Sequence, residues 1–230
     1  MQHKYVDLDV EIRTVEDAVI LFPLFRHLGY KGIAVRLPDQ LLGNIDKVEN
    51  FIHALLEISK KNNLMILFKI CFNARKIEMP FVKQNYLSYL QIADEAALRK
   101  AIFKREYRLL SISITVFPYI LKEEIVNLIK QARDKYIEIT LRDLFYIPAP
   151  HRRSIISMIF RKSRLFNKPD LPLIVSSGAK NKNDLLSPRC IRSFLRILGF
   201  KEDRILDIMV YNPSKVLMLP SLVTMTDAGS

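Results

Sequence analysis

Apolar and polar positions change period repeatedly along the 230 residues, and the changes mark alternating strands and helices. Residues 4–10 alternate as a strand: Tyr5, Val6, Leu8 and Val10 carry its apolar character, and Asp7 and Asp9 share one face. Thr14, with Glu16 and Asp17 behind it, starts a helix over 15–28 that Gly29 ends, and Pro23 should kink or restart it. A nearly continuous apolar run over 32–37, broken only by Arg36 at its end, suits a strand buried in a parallel sheet. Asn44 then caps an amphipathic helix in which Val48, Phe51, Ile52, Leu55, Leu56 and Ile58 recur at helical spacing. Residues 64–72 return as a strand, after which the alternation weakens over 73–85, where Arg75, Lys76 and Lys83 fall in a loop.

The period resumes with a strand over 86–92, a helix over 95–105 capped by Asp94, and a strand over 108–114. A helix over 122–135 carries Ile125, Val126, Leu128 and Ile129 on its apolar side, and a strand over 136–141 ends at Arg142. From 144 to 169 there is no acidic residue, while Arg152, Arg153, Arg161, Lys162, Arg164 and Lys168 crowd a helix preceded by Pro148 and Pro150. The apolar Leu173, Ile174 and Val175 break at the small-residue turn Ser176-Ser177-Gly178-Ala179, and a further helix begins at Ser187-Pro188-Arg189. Residues 201–210 read as helical, Asn212-Pro213 breaks that helix, and Ser214 caps a last turn. Strands alternating with helices in this way predict a parallel sheet with right-handed crossovers. No GxGxxG follows the first strand, which favours a TIM-barrel-like (β/α) barrel over an open dinucleotide-binding sheet. About seven strands are found and no eighth, so the barrel is expected to be distorted or incomplete, one domain over 1–219 with a flexible tail over 220–230.

Charge narrows the partner. With 36 basic and 24 acidic residues the chain carries +12, and a field of that sign attracts polyanions, nucleic acid first. No apolar stretch approaches the roughly 20 residues that cross a bilayer, and the amino terminus has no apolar leader, so a cytoplasmic chain without a membrane partner is expected. Cys71 and Cys190 form no zinc or disulfide pattern and read as buried thiols.

Dedicated chemistry is sparse. None of the four histidines, His3, His27, His53 and His151, has a metal-binding spacing. Asp7 and Asp9 could share a divalent ion, although alternating carboxylates more often face solvent or basic neighbours. The Ser176–Ala179 turn could cradle a phosphate through its N–H groups, as in a barrel enzyme acting on a phosphorylated small molecule, or serve as a tight strand exit. Arg36, Arg142 and Lys180 lie at or just past strand ends, where a barrel brings remote residues together as a cationic rim. Arg189, Arg192 and Arg196 share one stripe of their helix, opposite Ile191, Phe194, Leu195 and Leu198, and guanidinium forks suit phosphate.

The runs Leu173-Ile174-Val175-Ser176-Ser177-Gly178-Ala179, Leu186-Ser187-Pro188-Arg189, 195–199 and Tyr211-Asn212-Pro213-Ser214-Lys215-Val216-Leu217 resemble the carboxyl-terminal signature of archaeal ribonuclease P protein component 3. Val6-Asp7-Leu8, 29–35 and 136–142 fit the same family, so the resemblance covers most of 4–217. It implies a barrel related to polymerase-and-histidinol-phosphatase barrels, in a subunit that helps a catalytic RNA remove 5′ leaders from precursor tRNA. It also implies no catalytic residue, metal or cofactor of the protein's own. The partners implied are the ribonuclease P RNA, precursor tRNA indirectly, and component 2, a ferredoxin-like subunit. By place in the barrel the RNA-contacting set would be Arg36, Lys69, Arg99, Arg142, Lys180 and Arg189, with Arg189 alone carried by a motif match. Gly178 departs from the family, where an acidic residue is frequent at that turn.

Overall fold

The computed structural model describes residues 5–38, 40–41, 44–71, 86–105, 107–132 and 134–217. Strands β1 (Tyr5–Glu11), β2 (Tyr30–Arg36), β3 (Met65–Cys71), β4 (Tyr86–Ile92), β5 (Leu109–Ser113), β6 (Tyr136–Thr140) and β7 (Leu173–Ser176) each pair in parallel with the next. Around them lie α1 (Val15–His27), α2 (Ile45–Lys61), α3 (Glu95–Ile102), α4 (Phe117–Ile120), α5 (Glu123–Gln131), α6 (Asp143–Tyr146), α7 (Ala149–Arg161), α8 (Ser163–Phe166), α9 (Pro188–Ile197), α10 (Glu202–Leu206) and α11 (Asn212–Leu217). This is the TIM-barrel-like order the alternation predicts, seven strands closing around an apolar interior. The loop expected over 73–85 and the tail expected over 220–230 lie outside the described residues.

Local chemistry starts the helices where their first residues say it should. Thr14 Oγ1 accepts from the Asp17 N–H (3.2 Å) while Asp17 Oδ2 accepts from the Thr14 N–H (3.2 Å), a reciprocal capping box. Asn44 accepts from Lys47, Asp94 from Ala97 and Ser187 from Cys190 as N-caps, each without the return bond. Each such cap contributes about 1 kcal/mol. Pro23 sits inside α1 without ending it. Its missing N–H would have met the carbonyl of Val19, which is on the solvent side of the helix, so water can take that acceptor.

Closure is incomplete between β7 and β1. They are joined by one bridge, Val10 to Ala179, with the Glu11 N–H donating to the Ala179 carbonyl at 2.8 Å. The carboxyl-terminal helices pack over this seam against both strands, in place of an eighth strand. Asn212 Nδ2 donates to the Leu173 carbonyl (2.8 Å), and Val216 joins Val6, Leu8 and Ile174 inside the barrel. The expected break at Asn212-Pro213 does not occur: Asp207–Tyr211 widens into a π-helical segment and the Asn212 N–H donates to Asp207, five residues back. The wide turn changes the carbonyl register just where proline cannot donate, so the chain stays helical into α11.

Further corrections concern ends and thiols. Helices expected to run to 105 and 135 stop at Ile102 and Gln131; beyond them Lys135 Nζ donates to the Lys104 and Tyr107 carbonyls and ties the two helix exits together. Cys190 is exposed and Cys71 half-buried, so neither is the buried thiol the apolar context suggested. No helix among the described residues is long and apolar enough to cross a membrane.

Arg204, 2% exposed, clamps the approach to β7: Nε donates to the Phe166 carbonyl (3.1 Å), Nη1 to Pro169 (3.3 Å) and Nη2 to Leu171. Arg204→Met removes all three donors, two of them to carbonyls of the buried Phe166 and Leu171, and should lower stability by about 2–4 kcal/mol in urea unfolding.

Candidate functional site

Side chains two residues apart on each strand point into the same barrel interior, one layer above the other. The lower layer is apolar, with Leu8, Ala34, Leu67, Leu87, Leu109 and Ile174. Two residues further along the strands come Arg36, Lys69, Tyr89, Ser111, Glu138 and Ser176, so the mouth at the strands' carboxyl ends is polar. Lys69 lies at its centre with no exposed surface. Its ammonium donates to Asp9 Oδ1 (2.9 Å) and Glu138 Oε2 (2.5 Å), and sits 4.3 Å from the Tyr89 ring centre. Arg36 grips the same Asp9 with Nε (3.3 Å) and Nη2 (2.5 Å), and Ser176 Oγ donates to Glu138 Oε1 (2.7 Å). Burial pushes the Asp9 carboxyl up, but Lys69 and then Arg36 overcome this and hold it at about 2. Glu138 shifts the other way, raised by burial against the attraction of Lys69.

Asp7 and Asp9 do not act as a facing pair. The register shifts between Asp7 and Val10, and while Asp9 meets Lys69 and Arg36, Asp7 turns to the seam and accepts from the Ser177 N–H (3.1 Å) and the Asp9 N–H (3.1 Å). Both oxygens of Asp9 are taken by cationic donors, in the position a shared divalent ion would need. Burial, with no cation opposite, pushes the Asp7 carboxyl up to about 7.

The Ser176–Ala179 turn spends its donors internally. Ser177 N–H serves Asp7, Ala179 N–H serves Ser177 Oγ (3.0 Å), and Lys180 N–H serves Asp184 Oδ2 (3.0 Å). Gly178 has φ +71°, and a Cβ there would lie 3.2 Å from the Arg142 Cβ. An acidic side chain at this position would be both strained and crowded.

Arg36, Arg142 and Lys180 do converge at the rim, linked by carboxylates. Glu11 accepts from Lys180 (2.8 Å) and lies 3.7 Å from Arg36, and Asp184 Oδ2 accepts from Arg142 Nε (3.0 Å) as well as from the Lys180 N–H. The rim is therefore a network of ion pairs, where unopposed cations were expected. Although burial pushes Asp184 up, bonds from Tyr146, the Lys180 N–H and Arg142 hold its carboxyl below the ordinary range. Arg189 is exposed on α9 and pairs with no described carboxylate, while Arg192 and Arg196 both bond Glu202. The two remaining expected contacts stand elsewhere: Lys69 is inside the barrel, and Arg99 is on α3, paired with Glu95 (2.8 Å) and Glu124 (3.1 Å). Sequence reasoning missed Glu138, Tyr89 and Asp184. The signal available was a charged residue within an apolar strand, as in Leu67-Phe68-Lys69-Ile70 and Ile137-Glu138-Ile139.

Two outcomes follow from this charge balance. Lys69→Met leaves Asp9 and Glu138 buried without their shared cation and should cost about 3–5 kcal/mol in chemical denaturation, as removal of one partner from a buried pair does. Asp7 keeps its proton to about pH 7 when folded but releases it near its ordinary 3.8 when unfolded. The folded chain therefore binds the extra proton in this window, and the Asp7 contribution to stability falls as pH rises through it. Asp7→Asn should remove that loss, so the gap between variant and wild-type melting temperatures should widen in the variant's favour from pH 4 to pH 7.

Comparison with known proteins gives this architecture a context. Ribonuclease P protein component 3 of Methanosarcina barkeri is 22% identical over 217 residues, covering 86% of this chain and 81% of that protein. The protein of the same name from Methanosarcina mazei is 33% identical over 81 residues, 35% of this chain and 34% of its own length. Among solved structures, a chain of archaeal ribonuclease P with mature tRNA, determined by cryo-electron microscopy, superposes with a TM-score of 0.67 at 20% identity, covering 92% of both chains. Dihydroorotase from Campylobacter jejuni shares the fold at a TM-score of 0.54 and 11% identity, over 95% of this chain and 84% of its own. Residues 4–222 match the family described as RNase P subunit p30, and the chain belongs to that family.

Proposed function

We propose that this protein is a subunit of ribonuclease P, binding the catalytic RNA through the mouth face of its barrel and assisting removal of 5′ leaders from precursor tRNA. The observation that carries this reading is the family match over 4–222. The chemistry of the mouth favours a scaffold over an enzyme. The polar interior is filled by its own ion pairs, and the Ser177 and Ala179 N–H groups of the turn after β7, which could have cradled the phosphate of a small substrate, are bonded to Asp7 and Ser177. Arg36, Arg142, Lys180 and Arg189 form the RNA-facing set, Arg189 with its whole charge available. Lys69 supports that surface from inside, by holding Asp9 and Glu138 together, and Arg99 belongs to the outer wall. The resemblance to component 3 also makes component 2 the expected protein partner.

Salt tests the reading directly. Affinity for the cognate RNA should fall steeply with salt concentration, as phosphate contacts release counterions. Arg189→Glu should weaken binding and reduce the log–log salt slope by about one, without moving the melting temperature. Adding the protein with its partner subunit to the RNA should raise precursor-tRNA cleavage at low magnesium, and unchanged cleavage would refute the proposal.

A further inference from the structure

The segment joining β6 to α7 breaks two local rules. Cations belong at a helix's carboxyl end, yet the first turn of α7 holds no acidic residue, and His151, Arg152 and Arg153 stand at or beside its positive end. On other outer helices several cations are paired, Arg99 with Glu95, Lys130 with Asp170, and Arg192 and Arg196 with Glu202. Arg152, Arg153, Arg161 and Arg164 pair with no described carboxylate. Such an excess lacks its anion.

Beside it, two aromatic rings of α6 face outward, Phe145 44% exposed and Tyr146 59%. Tyr146 is nevertheless held in place. Its hydroxyl donates to Asp184 Oδ1, and the Arg142 guanidinium lies 4.5 Å from its ring centre. Asp184 is itself anchored by Arg142, the Lys180 N–H and Asn181 (3.1 Å). Arg152 Nη2 donates to the Phe145 (3.1 Å) and Ile147 (3.2 Å) carbonyls, fixing the end of α6, while its Nε is buried without a partner. A ring that is exposed yet immobilised loses little freedom on contact, and every nucleobase has a π-face to lay against it.

We propose that Tyr146 is a stacking platform for an unpaired RNA base, and that Arg152 and Arg153 at the start of α7 take the adjoining phosphates. The inference rests on the RNA-subunit reading and adds that the nucleotide met here is single-stranded. A duplex offers no free base face, and an apolar protein partner would leave the guanidinium groups unanswered.

The test uses the full chain with a short single-stranded RNA carrying one 2-aminopurine and with a duplex of equal length. Wild-type protein should bind both, and should change the 2-aminopurine fluorescence of the single strand by stacking. Tyr146→Leu should weaken single-strand binding roughly 5- to 150-fold, the range for loss of one base–aromatic stack, and leave duplex binding unchanged. Tyr146→Phe keeps the ring without the hydroxyl and should retain most of the affinity. Equal loss for both RNAs, no loss for the single strand, or a Phe variant as weak as Leu would overturn the platform while RNA binding itself stood. Weakened association with the partner subunit at unchanged RNA affinity would assign the ring to a protein interface instead. If wild type bound neither RNA, the subunit reading would fall with the platform.

Discussion

One ammonium group braces the barrel from within. Lys69 on β3 reaches Asp9 on β1 and Glu138 on β6, strands that are not neighbours in the sheet, so its bonds cross the interior where the hydrogen-bonded ladder cannot. A charge with no access to water is costly unless every donor is matched, and here two carboxylates and the face of Tyr89 surround it. Arg36 supplies a second cation to Asp9, and Ser176 a second donor to Glu138. The polar layer is therefore self-contained, and the apolar layer beneath it can pack as an ordinary core.

This brace matters because the ladder is open at one place. Between β7 and β1 a single bridge and the Asp7–Ser177 contact replace a continuous strand pairing, and the helical stretch over 207–217 covers the gap. Ionic ties at the mouth and the carboxyl-terminal helices at the seam do the closing that an eighth strand performs in a complete barrel. A mouth filled by its own charges leaves a surface in place of a pocket. Asp9, Glu11 and Asp184 neutralise much of the rim, and unopposed positive charge remains on α7 and at Arg189. Such a face fits the RNA-facing role proposed for it.

The strand–helix order and the caps at Thr14, Asn44, Asp94 and Ser187 were legible because each is a property of a few adjacent residues. So was the convergence of Arg36, Arg142 and Lys180, since strand ends in a parallel barrel must gather on one face. Their carboxylate partners were not legible: Asp9 for Arg36, Asp184 for Arg142 and Glu11 for Lys180 lie far from them in sequence, and only the closed sheet brings them within bonding distance. The Asp7–Asp9 pair misled for a related reason. Alternation assigns both to one face, whereas the register shift in β1 sends one to the seam and the other to Lys69. The break expected at Pro213 also ignored the π-helical turn, which keeps the chain helical into Asn212, itself bonded to the Leu173 carbonyl.

By itself, then, the sequence determined the seven-strand alternation, the excess of positive charge and the residues at each strand end, all of which follow from local periodicity and composition. The tertiary structure alone decided which of those charges are spent. Lys69 is consumed inside the barrel and the rim arginines are tied to carboxylates, while Tyr146 and the start of α7 remain open, because pairing depends on distances between strands that no local pattern records.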